Sequence, residues 1–252
     1  MNNQKHESTW VYGVIPAGAH LEELKRRSDR LPADVRVVEF DDLAAIVGAA
    51  PGDDPKAIRD QALSHARVLE AAVVDAPVVP FRFGTVVDDD SVGDELLGAF
   101  HDELAQLLES VKDHVQLTVK ANYREDVVLQ EIVTSYPEIA QLREQTRRGD
   151  EITTRDQRVR LGELVNMALE QVRRRDDDAI LERLTPLSVA SVVGPLESEF
   201  MALNASFLVE RRRMRQFEEA AGVVAAEQAE RMHVRLLGPM PAFDFVGGGQ
   251  PA

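Results

Sequence analysis

The sequence predicts an α+β protein of two domains, each with a mixed or antiparallel sheet in roughly βαββαβ (ferredoxin-like) order, joined by a helix. Three observations support this prediction. The chain of 252 residues is long enough for two domains of ordinary size. Short segments that are extended in pattern alternate with longer segments of helical period. Read from the N-terminus, a similar order of strands and helices occurs twice.

In the first half of the chain, β-branched and aromatic runs predict strands, and apolar residues at helical spacing predict helices. The two central strands are separated only by Asp41–Asp42, which indicates a hairpin. The predicted elements are the strand Trp10–Ile15, the helix His20–Leu31, the strands Val35–Phe40 and Leu43–Val47, the helix Pro55–Val74 and the extended segment Pro77–Val87.

The second half follows a similar order. Val115–Ala121 alternates apolar and polar residues, as a half-buried strand does. Helix is predicted from about Arg124, and Pro137 is expected to start a second helical segment. The remaining predicted elements are the helix Thr154–Leu184, the strands Leu187–Val193 and Phe200–Val209, the helix Arg211–Gln228 and the strand Met232–Leu237.

These elements predict the domain boundaries. The first domain covers residues 1–114 and includes the linking helix at about 92–111. The second domain covers residues 115–237. Residues 238–252 form a tail that is too rich in proline and glycine to extend the sheet.

The tail carries candidate interaction residues. Gly238 and Pro239 are predicted to end the last strand, because proline cannot donate to a strand ladder and glycine permits a sharp exit. Phe243 and Phe245 are expected to dock on the protein's own body, plausibly between the two domains, since aromatic side chains on a free tail would lower solubility.

Composition excludes several classes of function. The chain has no cysteine, which excludes disulfides, zinc–thiolate sites and a cysteine nucleophile. Its net charge of -15 makes nucleic acid an unfavourable partner. Every long stretch contains charged residues, so no membrane-spanning helix is expected. The N-terminus lacks the apolar core of a secretory signal, which predicts a cytoplasmic location.

No motif for catalysis, for a metal or for a cofactor is found. The six histidines form no metal-binding pair, and His65, near the apolar face of its helix, is interpreted as a core histidine. No serine lies in a nucleophile elbow, and no glycine run has phosphate-loop spacing. The acidic run Asp88–Asp90 is interpreted as a solvated helix N-terminus. The protein is therefore predicted not to be an enzyme and to carry no cofactor.

The segment Phe81–Arg82–Phe83–Gly84 has two interpretations. In a strand, Phe81 and Phe83 lie on one face and Arg82 lies on the other. The first interpretation places both phenylalanines in the core and pairs Arg82 with a carboxylate. The second exposes part of this strand at an interdomain or partner surface.

Four parts of the chain together resemble one protein family. They are Tyr12–Pro16 (YGVIP); Ser64–Glu70 (SHARVLE) with Val78–Val86 (VVPFRFGTV); Arg160–Val165 (RLGELV); and Asn204–Val209 (NASFLV) with Phe217, Gly238–Pro239, Pro241 and Phe243–Val246 (FDFV). In this order and at these spacings they resemble the GvpL/GvpF family of gas vesicle proteins. The chain departs from the family pattern at Ala242, where a second proline is common.

The resemblance implies a role and not a reaction. Members of the family are minor vesicle components or accessory factors that are thought to bind the hydrophobic shell protein GvpA, limit its aggregation and help nucleate the vesicle. GvpA and other accessory proteins are thus the implied partners, and the gas vesicle is the implied location. The alternative is a small-molecule-binding regulatory module built from paired ferredoxin-like domains, which would need convergent polar groups at a sheet edge.

Overall fold

The computed structural model describes residues 8–19, 31–50, 58–149 and 153–246. Its helices and two sheets confirm the predicted α+β class. The chain divides into two compact units, of which the first consists of Met1–Leu117, Leu208–Arg211 and Gly238–Ala252. The second consists of Thr118–Phe207 and Arg212–Leu237. The predicted domain boundary between residues 114 and 115 and the ferredoxin-like description of each domain stay predictions.

The first sheet is built around β1 (Ser8–Pro16), a run of aromatic and β-branched residues that is buried along nearly its whole length. β3 (Leu43–Ala49) pairs antiparallel with β1, and β2 (Arg36–Phe40) pairs antiparallel with β3. The short strands β4 (Val79–Pro80) and β5 (Val86–Asp88) pair antiparallel with the other side of β1.

The predicted hairpin between β2 and β3 is present. Phe40 pairs with Leu43, so Asp41 and Asp42 form a two-residue turn. Asp41 has a φ of 51°, in the left-handed region that aspartate adopts more readily than most residues. This turn chemistry explains why an acidic pair can replace the more usual Asn-Gly.

Helices cover the first sheet with apolar side chains. α1 (Ile58–Val73) buries His65 together with Leu69 and Val73. The predicted linking helix is divided into a π-helical segment, Val92–Gly98, and α2 (His101–Val111). Leucines from both parts join the core that contains Val11 and Val14 of β1. The predicted helix over His20–Leu31 lies outside the described residues, apart from Leu31.

The second sheet contains four strands in the order β7-β8-β6-β9. Pro137 divides the helical region as predicted, because proline fits the first turn of a helix but breaks its interior. The elements are β6 (His114–Tyr123), α3 (Glu125–Ser135), α4 (Pro137–Arg148), α5 (Arg155–Leu184), β7 (Ala190–Val193), β8 (Met201–Glu210), α6 (Met214–Glu227) and β9 (Met232–Met240).

Both sheets place their strands in the same order along the chain: second, third, first, fourth. In the first sheet this order is β2-β3-β1-β4, and in the second it is β7-β8-β6-β9. The similar element order that the sequence predicts for the two halves is therefore matched by a similar strand order.

Two predicted strand boundaries are wrong. Pro77–Val87 is not one extended segment, because the chain turns between β4 and β5. The last strand does not end before Gly238 but continues through a cis Gly238–Pro239 peptide to Met240. β9 lies at the edge of its sheet, where the nitrogen of a proline on the free side needs no hydrogen.

Candidate functional site

The residues predicted to take part in interactions lie in two places, both within the first unit. Phe81, Arg82, Phe83 and Gly84 follow β4 directly. Gly238, Pro239, Phe243 and Phe245 lie at the end of β9 and beyond it. We call these places the Phe83 turn (residues 81–85) and the tail segment (residues 238–246).

The Phe83 turn is not a strand. The backbone N–H of Thr85 donates to the carbonyl of Arg82 at 3.1 Å, the hydroxyl of Thr85 donates to the same oxygen at 2.8 Å, and Gly84 has a φ of +89°. Residues with a side chain rarely adopt this φ, so glycine at position 84 allows the chain to reverse its direction here. Phe81 and Phe83 therefore do not share a face: Phe81 is 1% exposed and Phe83 is 43% exposed.

Arg82 also differs from the core interpretation. Its side chain is exposed, and no carboxylate pairs with it among the residues that the structure describes. The core interpretation is thus right for Phe81 and wrong for Arg82 and Phe83.

An aromatic cluster of Trp10, Tyr12 and His65 packs against the ring of Phe83. The ring of Phe83 packs edge-on against Trp10, with 5.4 Å between ring centroids, and against His65 at 5.9 Å. Trp10 stacks on Tyr12 at 4.9 Å and on His65 at 5.3 Å. These offset and edge-on contacts are the favoured geometries of aromatic pairs. The cluster holds the ring of Phe83 in place although almost half of the side chain faces solvent.

His65 links the cluster to the turn. It is buried, as predicted for a core histidine, and its Nε2 lies 3.1 Å from the carbonyl oxygen of Phe81. Burial lowers the pKa of His65, and the hydrogen bond to Phe81 opposes this shift without cancelling it. The neutral ring therefore donates from Nε2, while within the described part of the chain Nδ1 has no hydrogen-bond partner.

Trp10 and Tyr12 were not predicted as part of this site. Burial, followed by the charge of Asp34, raises the pKa of Tyr12 to about 12. The signal for both residues is their spacing of two on a predicted strand, which places them on one face. No sequence pattern predicts that these two rings contact His65, which lies more than 50 residues further along the chain.

The tail segment folds back on the first unit. Ala242 and Val246 are buried and form a small apolar cluster with Val111. Phe245 packs against this cluster with part of its ring exposed, so its expected docking on the protein's own body is confirmed. Phe243 is covered less completely than Ala242 and Val246, because it remains 37% exposed. Ala242 and Val246 are the buried anchors instead, because the turn over residues 243–245 directs Phe243 outwards.

Gly238 lets the tail segment approach the first unit closely. It has a φ of +117°, and a Cβ placed there would lie 2.8 Å from the backbone oxygen of Gln116. Both the conformation and the space require glycine. Pro239 follows within β9 and is half-buried.

Gln116 holds the tail segment by two hydrogen bonds to Asp244 and by a weaker one from its Nε2 to the Sδ of Met240 at 3.7 Å. Its Nε2 donates to the Oδ2 of Asp244 at 2.8 Å, and its Oε1 accepts from the backbone N–H of Asp244 at 3.0 Å. The Gln116 side chain is itself buried. Sequence reasoning missed this residue because Gln116 takes a polar position in the alternation of β6, which predicts a solvent-facing side chain, whereas it is 2% exposed.

The second unit has an open concavity of about 470 Å³ beside β9. Asn122, Arg124, His233 and Arg235 are among the residues that line it. Neither arginine has an ion-pair partner among the residues that the structure describes. This is the arrangement closest to the convergent polar groups that a small-molecule module requires.

The described residues contain no group of three or more histidine, aspartate or glutamate side chains that could hold a metal ion. Within those same ranges, no helix combines the length and the apolar composition needed to cross a bilayer. The predicted absence of catalysis and of cofactors stays a prediction.

Comparisons with known proteins agree over nearly the whole chain. The profile of the family described as gas vesicle synthesis protein GvpL/GvpF matches residues 8–247. Gas vesicle protein F of Streptomyces sp. (strain CB03234) is 32% identical over 241 residues, covering 95% of this chain and 99% of that protein. Gas vesicle protein L of the same strain is 29% identical over 263 residues, covering 93% of this chain and 88% of that protein.

A solved structure is similar in fold. The crystal structure of GvpF from Anabaena sp. PCC7120 matches with a TM-score of 0.75 at 21% identity, covering 97% of this chain and 100% of that one.

Proposed function

Because this chain belongs to the GvpL/GvpF family of gas vesicle synthesis proteins, we propose that it is a non-enzymatic gas vesicle assembly factor. In this proposal it binds the hydrophobic shell protein GvpA, limits its aggregation and helps nucleate the vesicle. It acts in the cytoplasm and at the gas vesicle, and its other partners are gas vesicle accessory proteins.

The observation that carries this proposal is the exposed ring of Phe83. An apolar partner needs an apolar contact that is already held in place, since ordering a flexible side chain on binding costs free energy. The contacts with Trp10 and His65 supply that order. Aromatic residues, including phenylalanine, are also enriched in the buried centres of protein interfaces.

Phe243 provides a second exposed aromatic in the same unit. It lies between Ala242, which is buried, and Asp244, whose backbone N–H is bound by Gln116. The ring is thus presented on a segment that is attached on both sides. We propose that the Phe83 turn and the tail segment are the surfaces that bind GvpA.

The acidic composition supports the second part of the role. A shell subunit that later forms a gas-facing wall exposes large apolar patches before assembly, and such patches aggregate. The net charge of -15 would give a complex of the two proteins a strongly charged exterior and so oppose its precipitation.

The test is an aggregation assay with GvpA. Light scattering is followed as GvpA is diluted out of denaturant, with and without the purified chain. We expect wild-type chain to suppress scattering and the double variant Phe83→Ser/Phe243→Ser to lose most of this effect. Leu63→Ser is the matched control, since Leu63 is an exposed apolar residue of α1 in the same unit. Equal suppression by the double variant would refute the assignment of these surfaces.

The alternative function, a small-molecule-binding regulatory module, is favoured by one observation, the concavity with Arg124 and Arg235. These two guanidinium groups, which have no carboxylate partner in the described part of the chain, would select a small carboxylate or phosphate. Titration with such anions, followed by NMR, separates the two functions. Saturable anion binding at the concavity that is lost in Arg124→Gln would support the regulatory module. If no anion binds there, the proposal of an assembly factor stands.

A further inference from the structure

β7 is an unusual edge strand in the second unit. It lies at one end of the sheet order, so only β8 pairs with it among the described strands. All four of its residues are exposed. Val189, just before it, and Val192, Val193 and Leu196 are between 41% and 55% exposed. Successive side chains of a strand point to opposite faces, so β7 exposes apolar side chains on both faces.

The charged residues that usually protect an edge strand are missing from β7. Proteins commonly place charged residues, especially lysine, on an edge strand to prevent pairing with another chain. In this sequence no charged residue occurs from Leu184 to Leu196, although 29% of the whole chain is charged. Pro186 and Pro195 flank the strand and limit the length that is open to pairing, but neither lies within it.

β7 is also held at both ends. After the strand, the N–H of Gly194 donates to the backbone oxygen of Asn204 at 2.8 Å, and the Asn204 side chain donates to the carbonyl of Pro195 at 2.9 Å. Before it, the N–H of Ser188 donates to the carbonyl of Thr185 at 3.0 Å. A strand that is already fixed in its extended form gives up little conformational entropy when another strand pairs with it.

We propose that β7 is a strand-addition site that binds an extended, uncharged segment of another polypeptide, rich in β-branched residues. Main-chain hydrogen bonds along the free edge supply the attachment, and the side chains of Val192 and Val193 select apolar residues on the two faces. This proposal concerns a different unit from the Phe83 turn and does not depend on the identity of GvpA as a partner.

A second copy of this chain fits the site less well than a separate segment. Stable dimers commonly bury about 20–30 residues on each side, whereas the apolar surface at β7 consists of a few half-exposed side chains. Each copy would also bring a net charge of -15 to the contact. A short uncharged strand meets neither difficulty.

The test uses a capped peptide of about six residues that alternates valine and threonine, with one terminal lysine for solubility. Binding is measured by fluorescence anisotropy, and the site is located by NMR shifts of the amides of residues 189–193. We expect wild-type chain to bind this peptide. We also expect Val193→Lys to bind at least about tenfold more weakly, because it restores the charge that edge strands normally carry.

Two controls make the test specific. Val223→Lys places the same charge at an exposed valine of α6 in the same unit and should bind as the wild type does. A peptide N-methylated at alternate residues keeps its side chains but cannot pair along the edge, and it should not bind. Equal binding of the N-methylated peptide, or no effect of Val193→Lys, would overturn the proposal. So would a dimer in analytical ultracentrifugation that Val193→Lys abolishes, since a second copy would then occupy the edge.

Discussion

Replacing Gln116 by methionine tests how the tail segment is held. Methionine has nearly the same length and volume as glutamine, so Gln116→Met keeps the packing in β6 while removing both hydrogen bonds to Asp244. The apolar contacts of Ala242 and Val246 with Val111 are left in place. The variant therefore separates the polar attachment of the tail segment from its apolar docking.

The size of the effect follows from the two bonds. A hydrogen bond between neutral groups contributes about 0.5–1.5 kcal/mol, and one to a charged group contributes about 1.5–3 kcal/mol. Asp244 is exposed, so water can replace Gln116 at both of its groups when the segment opens. We therefore expect the lower end of the sum, about 2 kcal/mol, which corresponds to an opening equilibrium about 30 times more favourable.

Hydrogen exchange measured by NMR checks this number. The amide of Asp244, which donates to Gln116 in the wild type, should exchange about 30 times faster in Gln116→Met. Amides in β1 and β3, at the centre of the first sheet, should change little. Gln106→Met, on the exposed face of α2, is the control for the substitution itself. If Asp244 exchanges at the wild-type rate in a folded Gln116→Met variant, the two bonds do not hold the segment.

Three further predictions concern stability. Gly238→Ala should destabilise the first unit by roughly 3 kcal/mol, because it combines a disfavoured φ with a close contact to a backbone oxygen. Gly222→Ala, in open space on α6, is the control and should stabilise the protein slightly. Thermal unfolding of both variants measures the difference. Arg211→Met should cost about 2 kcal/mol in denaturant unfolding, because the Arg211 guanidinium donates to three carbonyls at the end of α1. The hydrogen bond to Asp42 is the largest cause of the raised pKa of His101, so their pair stabilises fully below about pH 6.5 and loses this effect as the pH rises through the raised pKa. The melting temperatures of wild type and Asp42→Asn should therefore converge between pH 6 and pH 9, and a constant difference would contradict this reasoning.

Most elements of the fold could be predicted because each is encoded by a local pattern. The strands β1, β6 and β8 have continuous or alternating apolar runs, and the break between α3 and α4 follows directly from Pro137. Local patterns do not specify, however, which face of a helix or strand is buried by the rest of the protein. The first turns of α5 show this, because the apolar side chain of Val159 is 58% exposed.

The candidate site was harder to predict, because it depends on contacts between distant parts of the chain. Gln116 and Asp244 are separated by 128 residues, and no periodicity connects them. The Phe83 turn was missed for a different reason. Phe-Arg-Phe has the alternation of a strand, whereas the turn depends on Gly84 alone, and a single glycine is a weaker signal than that alternation.

The two phenylalanines of the Phe83 turn should consequently behave differently when they are replaced. The ring of Phe81 is buried in the core of the first unit, so Phe81→Ala should cost about 3–5 kcal/mol of folding stability. Phe83→Ala loses two edge-on contacts, with Trp10 and with His65, each worth about 0.5–1.5 kcal/mol, so it should cost about 1–2 kcal/mol at a partly exposed site. Chemical denaturation of both variants measures the difference. If Phe83 serves mainly to bind a partner, Phe83→Ala weakens binding while the fold persists; if both variants are equally destabilised, Phe83 is a core residue and its exposure has no functional meaning.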